Sequence, residues 1–409
     1  MNYNTFTLPN GLRIIHLPST SPVVYCGYGI CAGARNERPD EEGLAHFCEH
    51  NTFKGTCKRN SLKIIGCLES VGGDLNAFTN KEDTFYYAAI LKDHLPKAVD
   101  LLTDMVFHST YPQSEIDKEV EVICDEIEIY NDSPAELIYD EFENVLFNGH
   151  PLGHNILGRK DRLHEFTTET ALSFTRGFYT PDNAVFFAYG DIDFKTLVRL
   201  IGRATSDFDA REPKIDVRPE GVLPVYNPQE IVKERGTHQA HVMIGNRSYD
   251  VHDDRRMALY LLNNMLGGPA MSARLNISLR ERNGLVYSVD SSMINYSDTG
   301  VWCMYFGCDP HDIKKCRRIV RQELDKVMNR PLSAAGLTAA KRQIKGQIGV
   351  AFDNRENFAL DFAKGYLHYG WQKDIPALFK RIDAVTADDI LEVANDIFPH
   401  DRLTTLTFI

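Results

Sequence analysis

The chain has 409 residues, 43% of them hydrophobic, with 45 Lys and Arg against 57 Asp and Glu and a formal charge of -12. That length exceeds what one compact core supports and calls for about two or three domains. The acidic balance argues against nucleic acid as a partner, because phosphate backbones select clustered Lys and Arg. The nine cysteines are scattered, odd in number and without a C-x-x-C pair, which suits free thiols in a reducing compartment better than a disulfide framework.

The opening segment MNYNTFTLPNGLRIIHLPST has neither a basic n-region nor a continuous apolar h-region. No later run approaches the roughly 18 to 20 apolar residues of a membrane span. The chain therefore reads as cytoplasmic, with no membrane partner. Pro9-Asn10-Gly11 marks a turn between strands, and VVYCGYGICAGA follows as an apolar strand run. LAHFCEHNTF, residues 44 to 53, then reads as a helix, with Pro39-Asp40 as its start, Glu41 and Glu42 in its first turn and Gly55 as its stop. GGDLNAFTNKEDTFYYAAIL reads as a hairpin of two strands, and LPKAVDLLTDMV as an amphipathic helix.

The same order recurs in the second half: strand AHVMIGNRSY, helix DDRRMALYLLNNML, strands GLVYSVDSSM and GVWCMYFGCD, helix IKKCRRIVRQELDKVM. Matching Phe85 to Trp302 gives an offset of 302 − 85 = 217 residues, about half the chain, as expected of a duplication. Each half closes on a strand, NAVFFAYGDI and RLTTLTFI. The expected fold is α+β, with two similar repeat domains, each a mostly antiparallel sheet with helices packed on one face. The expected boundaries are 1–210 for the first domain, 211–229 for a Pro- and charge-rich linker, and 230–409 for the second.

On a helix, His46 and His50 fall on one face with Glu49 beside them. Two imidazoles and one further ligand leave a catalytic zinc with an open position, and a nearby carboxylate can take a proton from a water held there. Cys48 points away and is assigned to packing. The acidic helix SEIDKEVEVICDEIEIYND offers the third ligand. With Ile116 at zero on a wheel, Ile116, Val120, Ile123, Ile127 and Tyr130 form the buried stripe, and Glu121, Asp125 and Glu128 lie opposite as solvated charges. Glu119 and Glu126 fall at the edge of the stripe, where a carboxylate needs a partner, with Glu115 a weaker option. One could bind the ion while the other orients a histidine. His150 and His154, flanking a Pro-Leu-Gly turn, read as loop residues with ordinary hydrogen bonds. The second half has no histidine pair at its equivalent helix, so it does not duplicate this chemistry.

The sequence resembles the pitrilysin-type zinc peptidases, or inverzincins, and their short two-domain members similar to the mitochondrial processing peptidase subunits. The motif H-x-x-E-H is followed by a glutamate at 126 − 50 = 76 residues, and GARNE, HNTFKGT, GGDLNAFT, HPLGHNILG and LGGPAMSARL all look like family stretches. The resemblance implies His46, His50 and Glu126 as ligands of one Zn2+ per chain, Glu49 as general base, and Glu119 as a supporting carboxylate. It implies that Arg280 and Tyr287, seven apart in LRERNGLVYS, reach the substrate, and that Asn76, Ala77 and Phe78 of LNAFT hold an extended peptide. It also implies pairing of two copies around an enclosed chamber. Because the zinc motif and the Arg/Tyr pair share one chain, a homodimer is expected. The expected activity is endopeptidase cleavage of short or unfolded polypeptides. The alternatives are a non-catalytic scaffold or partner subunit of the same fold, or a zinc hydrolase of small esters and amides.

Overall fold

Strands form where β-branched and aromatic residues alternate between two buried faces. The computed structural model describes residues 1–208 and 223–409. Its strands are β1 (Asn4–Thr7), β2 (Arg13–Pro18), β3 (Val23–Ile30), β4 (Asp74–Thr79), β5 (Thr84–Leu91), β6 (Ala184–Gly190), β7 (Glu230–Lys233), β8 (Ala240–Ser248), β9 (Val286–Asn295), β10 (Gly300–Cys308) and β11 (Thr404–Phe408). The first six form one sheet in the order β1-β2-β6-β3-β5-β4, and the rest a second in the order β7-β11-β8-β10-β9. Setting β1 aside, the two orders superpose strand for strand. Each sheet has one parallel pair, β2 with β6 and β7 with β11, and is otherwise antiparallel. The duplicated α+β architecture is therefore present.

The helices are α1 (Leu44–Thr52), α2 (Ser61–Glu69), α3 (Leu95–His108), α4 (Gln113–Asn131), α5 (Pro134–Leu146), α6 (Lys160–Leu163), α7 (Thr168–Phe178), α8 (Phe194–Ala204), α9 (Arg256–Gly267), α10 (Ile313–Asn329), α11 (Ala334–Ala351), α12 (Arg355–Tyr369), α13 (Ile375–Ala384) and α14 (Ala387–Ile397). None is long and apolar enough to cross a membrane. All nine cysteines are free.

The backbone groups into two compact units. The first comprises Met1–Glu128, His154–Val222 (described as far as Phe208) and Ala351–Asp374; the second comprises Ile129–Gly153, Leu223–Val350 and Ile375–Ile409. These units are not contiguous, unlike the expected division at 1–210, 211–229 and 230–409, and residues 211–222 of the expected linker lie outside the described residues. The reason is packing. On one face of the first sheet, Val24, Cys26, Tyr28, Tyr86, Ala88, Phe186 and Ala188 meet α1, α3 and α4 through Phe47, Leu102 and Ile123. Its other face, with Ile15, Phe85, Tyr87, Val185 and Phe187, is covered by Phe358, Phe362 and Leu367 of α12, a helix from the far end of the chain. In the second unit, Leu137, Phe142 and Leu146 of α5 cover Met243, Val301, Cys303, Tyr305, Leu406 and Phe408. Each half of the sequence thus gives one helix to the other half's sheet. The first sheet consequently carries helices on both faces, with the larger layer on one. Close strand approach in it relies on glycine: a Cβ on Gly27 would lie 2.7 Å from the Tyr87 Cα.

Candidate metal centre

Helix α1 starts later than its flanks suggest. Glu41 and Glu42 precede it, and Gly43, with φ of 95°, stands at its N-cap in the left-handed region that favours glycine. The free N–H groups of the first turn are met from a distance. Glu37 accepts from the Gly43 N–H at 2.9 Å and the Ala45 N–H at 2.7 Å. That carboxylate is fully buried and is hydrogen-bonded by His154 Nε2 at 2.8 Å, so the loop histidine has a defined partner. Cys48 is buried toward the Ala171 carbonyl, as packing requires.

His46 and His50 lie one turn apart on α1, with ring centroids 4.5 Å apart. Helix α4 buries Ile116, Val120, Ile123 and Ile127 and exposes Glu121, Asp125 and Glu128, which turns Glu119 and Glu126 toward α1. Glu126 Oε2 lies 3.8 Å from His46 Nε2 and 3.4 Å from His50 Nε2. The ligand atoms of His46, His50 and Glu126 all fall within 4.8 Å of one another, and no other such group occurs among the described residues. Glu115 is not part of it; it pairs with Lys118.

The surroundings fit a cation. Burial and the neighbouring His50 lower the His46 pKa to about 4, so its imidazole is neutral and able to donate a lone pair. His46 Nδ1 is buried without a hydrogen-bond partner among the described residues. Burial works against a charge on His50, yet hydrogen bonds to Glu119 and Glu126 raise it to about 9. A metal entering here therefore displaces a proton. Glu119 Oε1 holds His50 Nδ1 at 3.0 Å, turning Nε2 toward the cluster, and Lys54 Nζ lies 2.5 Å from Glu119 Oε2. Two imidazoles and a carboxylate, one imidazole braced by a second carboxylate, suit zinc.

Glu49 is buried beside the cluster. Burial raises its pKa against the opposing effects of Thr79 and His50. Thr79 Oγ1 donates to Glu49 Oε2 at 2.6 Å, and Oε1 accepts no hydrogen bond among the described residues. Glu37, Lys54 and Thr79 lie in the stretches GARNE, HNTFKGT and GGDLNAFT, but the sequence reading gave them no role. Thr79 does have a sequence signal: it alternates with Phe78 in LNAFT and so faces the side of the sheet that Ala77 faces, toward α1.

Asn76, Ala77 and Phe78 lie on β4, the end strand of its sheet. Asn76 is exposed, Ala77 packs against the α1-side core, and Phe78 stacks on Phe85 with centroids 5.3 Å apart. The Phe78 side chain is thus a packing element, and its backbone remains on the edge. Arg280 and Tyr287 belong to the second unit, where the guanidinium sits 5.6 Å from the exposed phenol ring. The structure brings those two together with each other.

Residues 14–160 match the family described as Insulinase (Peptidase family M16), and residues 165–344 match the Peptidase M16 inactive domain. An uncharacterized zinc protease of Bacillus subtilis is 30% identical over 98% of this chain and 97% of its own length. The chain belongs to peptidase family M16. A second relative, an uncharacterized zinc protease of Streptomyces coelicolor, is 34% identical over 96% of this chain and 86% of its own length. Among solved structures, a protease from Helicobacter pylori shares the fold with a TM-score of 0.90 at 21% identity, covering 100% of this chain and 99% of its own. A Pseudomonas fluorescens protein titled as a peptidase M16 inactive domain reaches 0.91 at 16% identity, covering 100% and 98%. The M16 relatives support a peptidase-type function and zinc dependence in the family.

Proposed function

We propose that this M16 chain is a zinc-dependent endopeptidase acting on short or unfolded polypeptides. The observation that carries this reading is the convergence of His46, His50 and Glu126 from two helices, with the buried carboxylate of Glu49 beside them. Zinc, when bound, supplies Lewis acidity toward a carbonyl and acidifies water. Glu49 accepts the water proton on its open oxygen while Thr79 fixes the other, and then passes the proton to the leaving amine. Its raised pKa suits a group that must both take and release that proton. Glu119 keeps His50 oriented as a ligand. The outer edge of β4 offers the backbone groups of alternate residues in the Asn76–Phe78 stretch to an extended chain, a sequence-tolerant mode of holding a peptide. Arg280 and Tyr287 are donors suited to a substrate carbonyl. Pairing of two copies around a chamber would restrict substrates to chains that fit inside.

The test is cleavage of an unstructured quenched-fluorescent peptide by wild type and Glu49→Gln, each with its zinc content measured by elemental analysis. Wild type and variant are expected to hold about one zinc per chain, the variant cleaving about 10²- to 10⁴-fold more slowly. Equal rates would remove Glu49 from the mechanism. A zinc-loaded wild type that cleaves nothing across a broad peptide mixture would give the lead to a non-catalytic scaffold role.

A further inference from the structure

A second cluster of reactive groups lies in the first unit and takes no part in the proposed hydrolysis. Cys31 follows β3 directly and is partly exposed. Its Sγ lies 3.6 Å from Nδ1 of His368 on α12. The opposite ring nitrogen, His368 Nε2, lies 3.0 Å from Asp83 Oδ2 in the turn between β4 and β5. Asp83 is wholly buried; it is also reached by Lys364 Nζ at 2.9 Å and accepts from Asn80 Nδ2 at 2.7 Å. Arg13 donates to the Tyr366 and Leu367 carbonyls and so fixes the same end of α12, adding a positive charge there.

A thiol, an imidazole within reach of it and a carboxylate that orients the imidazole and stabilises its positive charge form an arrangement that activates the thiol by stabilising its thiolate. A bare structural tie between α12 and the sheet would need only the His368–Asp83 bond. The other Cys–His contact among the described residues, Cys124 with His164 at 3.9 Å, lacks this backing: its histidine is more than half exposed, and the carboxylate it meets, Glu121, is exposed and 4.0 Å away. We propose that Cys31 is a nucleophilic thiol, activated by His368 and Asp83, and a site of oxidation by hydroperoxides.

The Cys31 proton leaves to solvent, the His368 imidazolium donates its Nδ1–H to the thiolate, and the sulfur attacks one oxygen of a hydroperoxide. An S–O bond forms, the O–O bond breaks, the sulfur gives up two electrons and becomes a sulfenic acid. The leaving hydroxide or alkoxide takes the proton from His368 Nδ1 and departs as water or alcohol. Asp83, held by Lys364 and Asn80, stabilises the imidazolium, whose Nδ1 regains its proton from solvent after the step.

The intact chain carries its own reference, because Cys57 is exposed. Wild-type protein is treated with substoichiometric hydrogen peroxide, sulfenic acids are trapped with a dimedone-type reagent, and trapping at each cysteine is quantified by peptide mass spectrometry. Cys31 is expected to be trapped at least tenfold faster than Cys57, and His368→Gln is expected to remove that advantage while leaving the Cys57 rate unchanged. Cys57 reacting as fast as Cys31 in wild type overturns the proposal. So does an unchanged Cys31 rate in a folded His368→Gln protein. The wild-type ratio needs no variant and decides alone if His368→Gln does not fold.

Discussion

Helices α1 and α9 hold the same place in the two units, each following the strand of its sheet that β3 and β8 represent and each packing on the hairpin strand, β4 or β9. Asn263 of α9 and the histidine pair of α1 have opposite fates. On α9, Asn263 Oδ1 accepts from Trp302 Nε1 at 3.0 Å and its Nδ2 donates to the Ser291 carbonyl at 3.2 Å, so the side chain ties the helix to its own sheet. On α1, His46 and His50 point at each other and at Glu126, and His46 Nδ1 has no partner among the described residues. Asn263 holds its repeat together; His46 and His50 are aimed at a common point. Polar side chains that converge without satisfying one another mark a ligand site, and those that close locally mark structure.

The sharpest way to break this comparison is to remove a ligand. His50→Ala is expected to reduce zinc from about one per chain to near none after dialysis, exceeding the roughly 10- to 100-fold affinity loss typical of removing a supporting carboxylate. A variant that kept its zinc through dialysis would show the metal to be held elsewhere.

Next in size is the exchange of helices between the halves. Phe142 on α5 is encoded in the first half but packs in the second unit, and Phe362 on α12 does the reverse. Each Phe→Ala change is expected to cost about 3–5 kcal/mol. Hydrogen exchange would locate the loss: Phe142→Ala should deprotect β8, β10 and β11, and Phe362→Ala should deprotect β3, β5 and β6. Loss in the other sheet in either case would refute the exchange.

That exchange also marks where the sequence stopped being legible. The 3.6-residue pattern of α4 identified which carboxylates turn inward, because a wheel needs only local geometry. The repeated order of strands and helices revealed the duplication for the same reason. An amphipathic helix, however, buries a face without showing whose, so the expected boundaries 1–210 and 230–409 put residues 134–146 and 355–369 in the half that encodes them. The start of α1 was misplaced for a related reason: its capping carboxylate, Glu37, lies outside the reach of any local N-cap rule. Thr79 on Glu49 likewise needed the sheet to place β4 beside α1.

A smaller effect is expected at the α12 contact. Burial pushes the His368 imidazole down, and its hydrogen bonds to Asp83 and Cys31 outweigh this, raising it to about 9. The folded state thus binds this proton more tightly than the unfolded chain, whose histidine titrates near 6.5. The stability it contributes is fully present below about pH 6.5 and is lost as pH rises through about 9, on the order of 3 kcal/mol. Asp83 is held below the usual carboxylate range by Lys364 and His368 despite its burial, so its share is present above about pH 4 and lost on acidification. Denaturant midpoints should therefore be highest between about pH 4 and 6.5, and His368→Gln should flatten the alkaline decline. A decline as steep in the variant as in the wild type would assign it to other groups.

The smallest effect returns to α9. Asn263→Ala leaves the Trp302 indole N–H and the Ser291 carbonyl unpaired in a buried setting, at a cost of about 1–3 kcal/mol. Because Asn263 serves only the helix-to-sheet tie of the second unit, zinc content should stay at its wild-type level and the midpoint of denaturation should fall. Asn263→Asp retains an acceptor for Trp302 and loses the donor to Ser291, so its loss should be intermediate if the carboxylate can be hydrated, and larger than that of Ala if it is left desolvated. The ordering of the two variants reports how dry this tie is. Zinc lost from either variant would mean that α9 bears on the metal centre after all, and the division of labour between the two repeats would have to be redrawn.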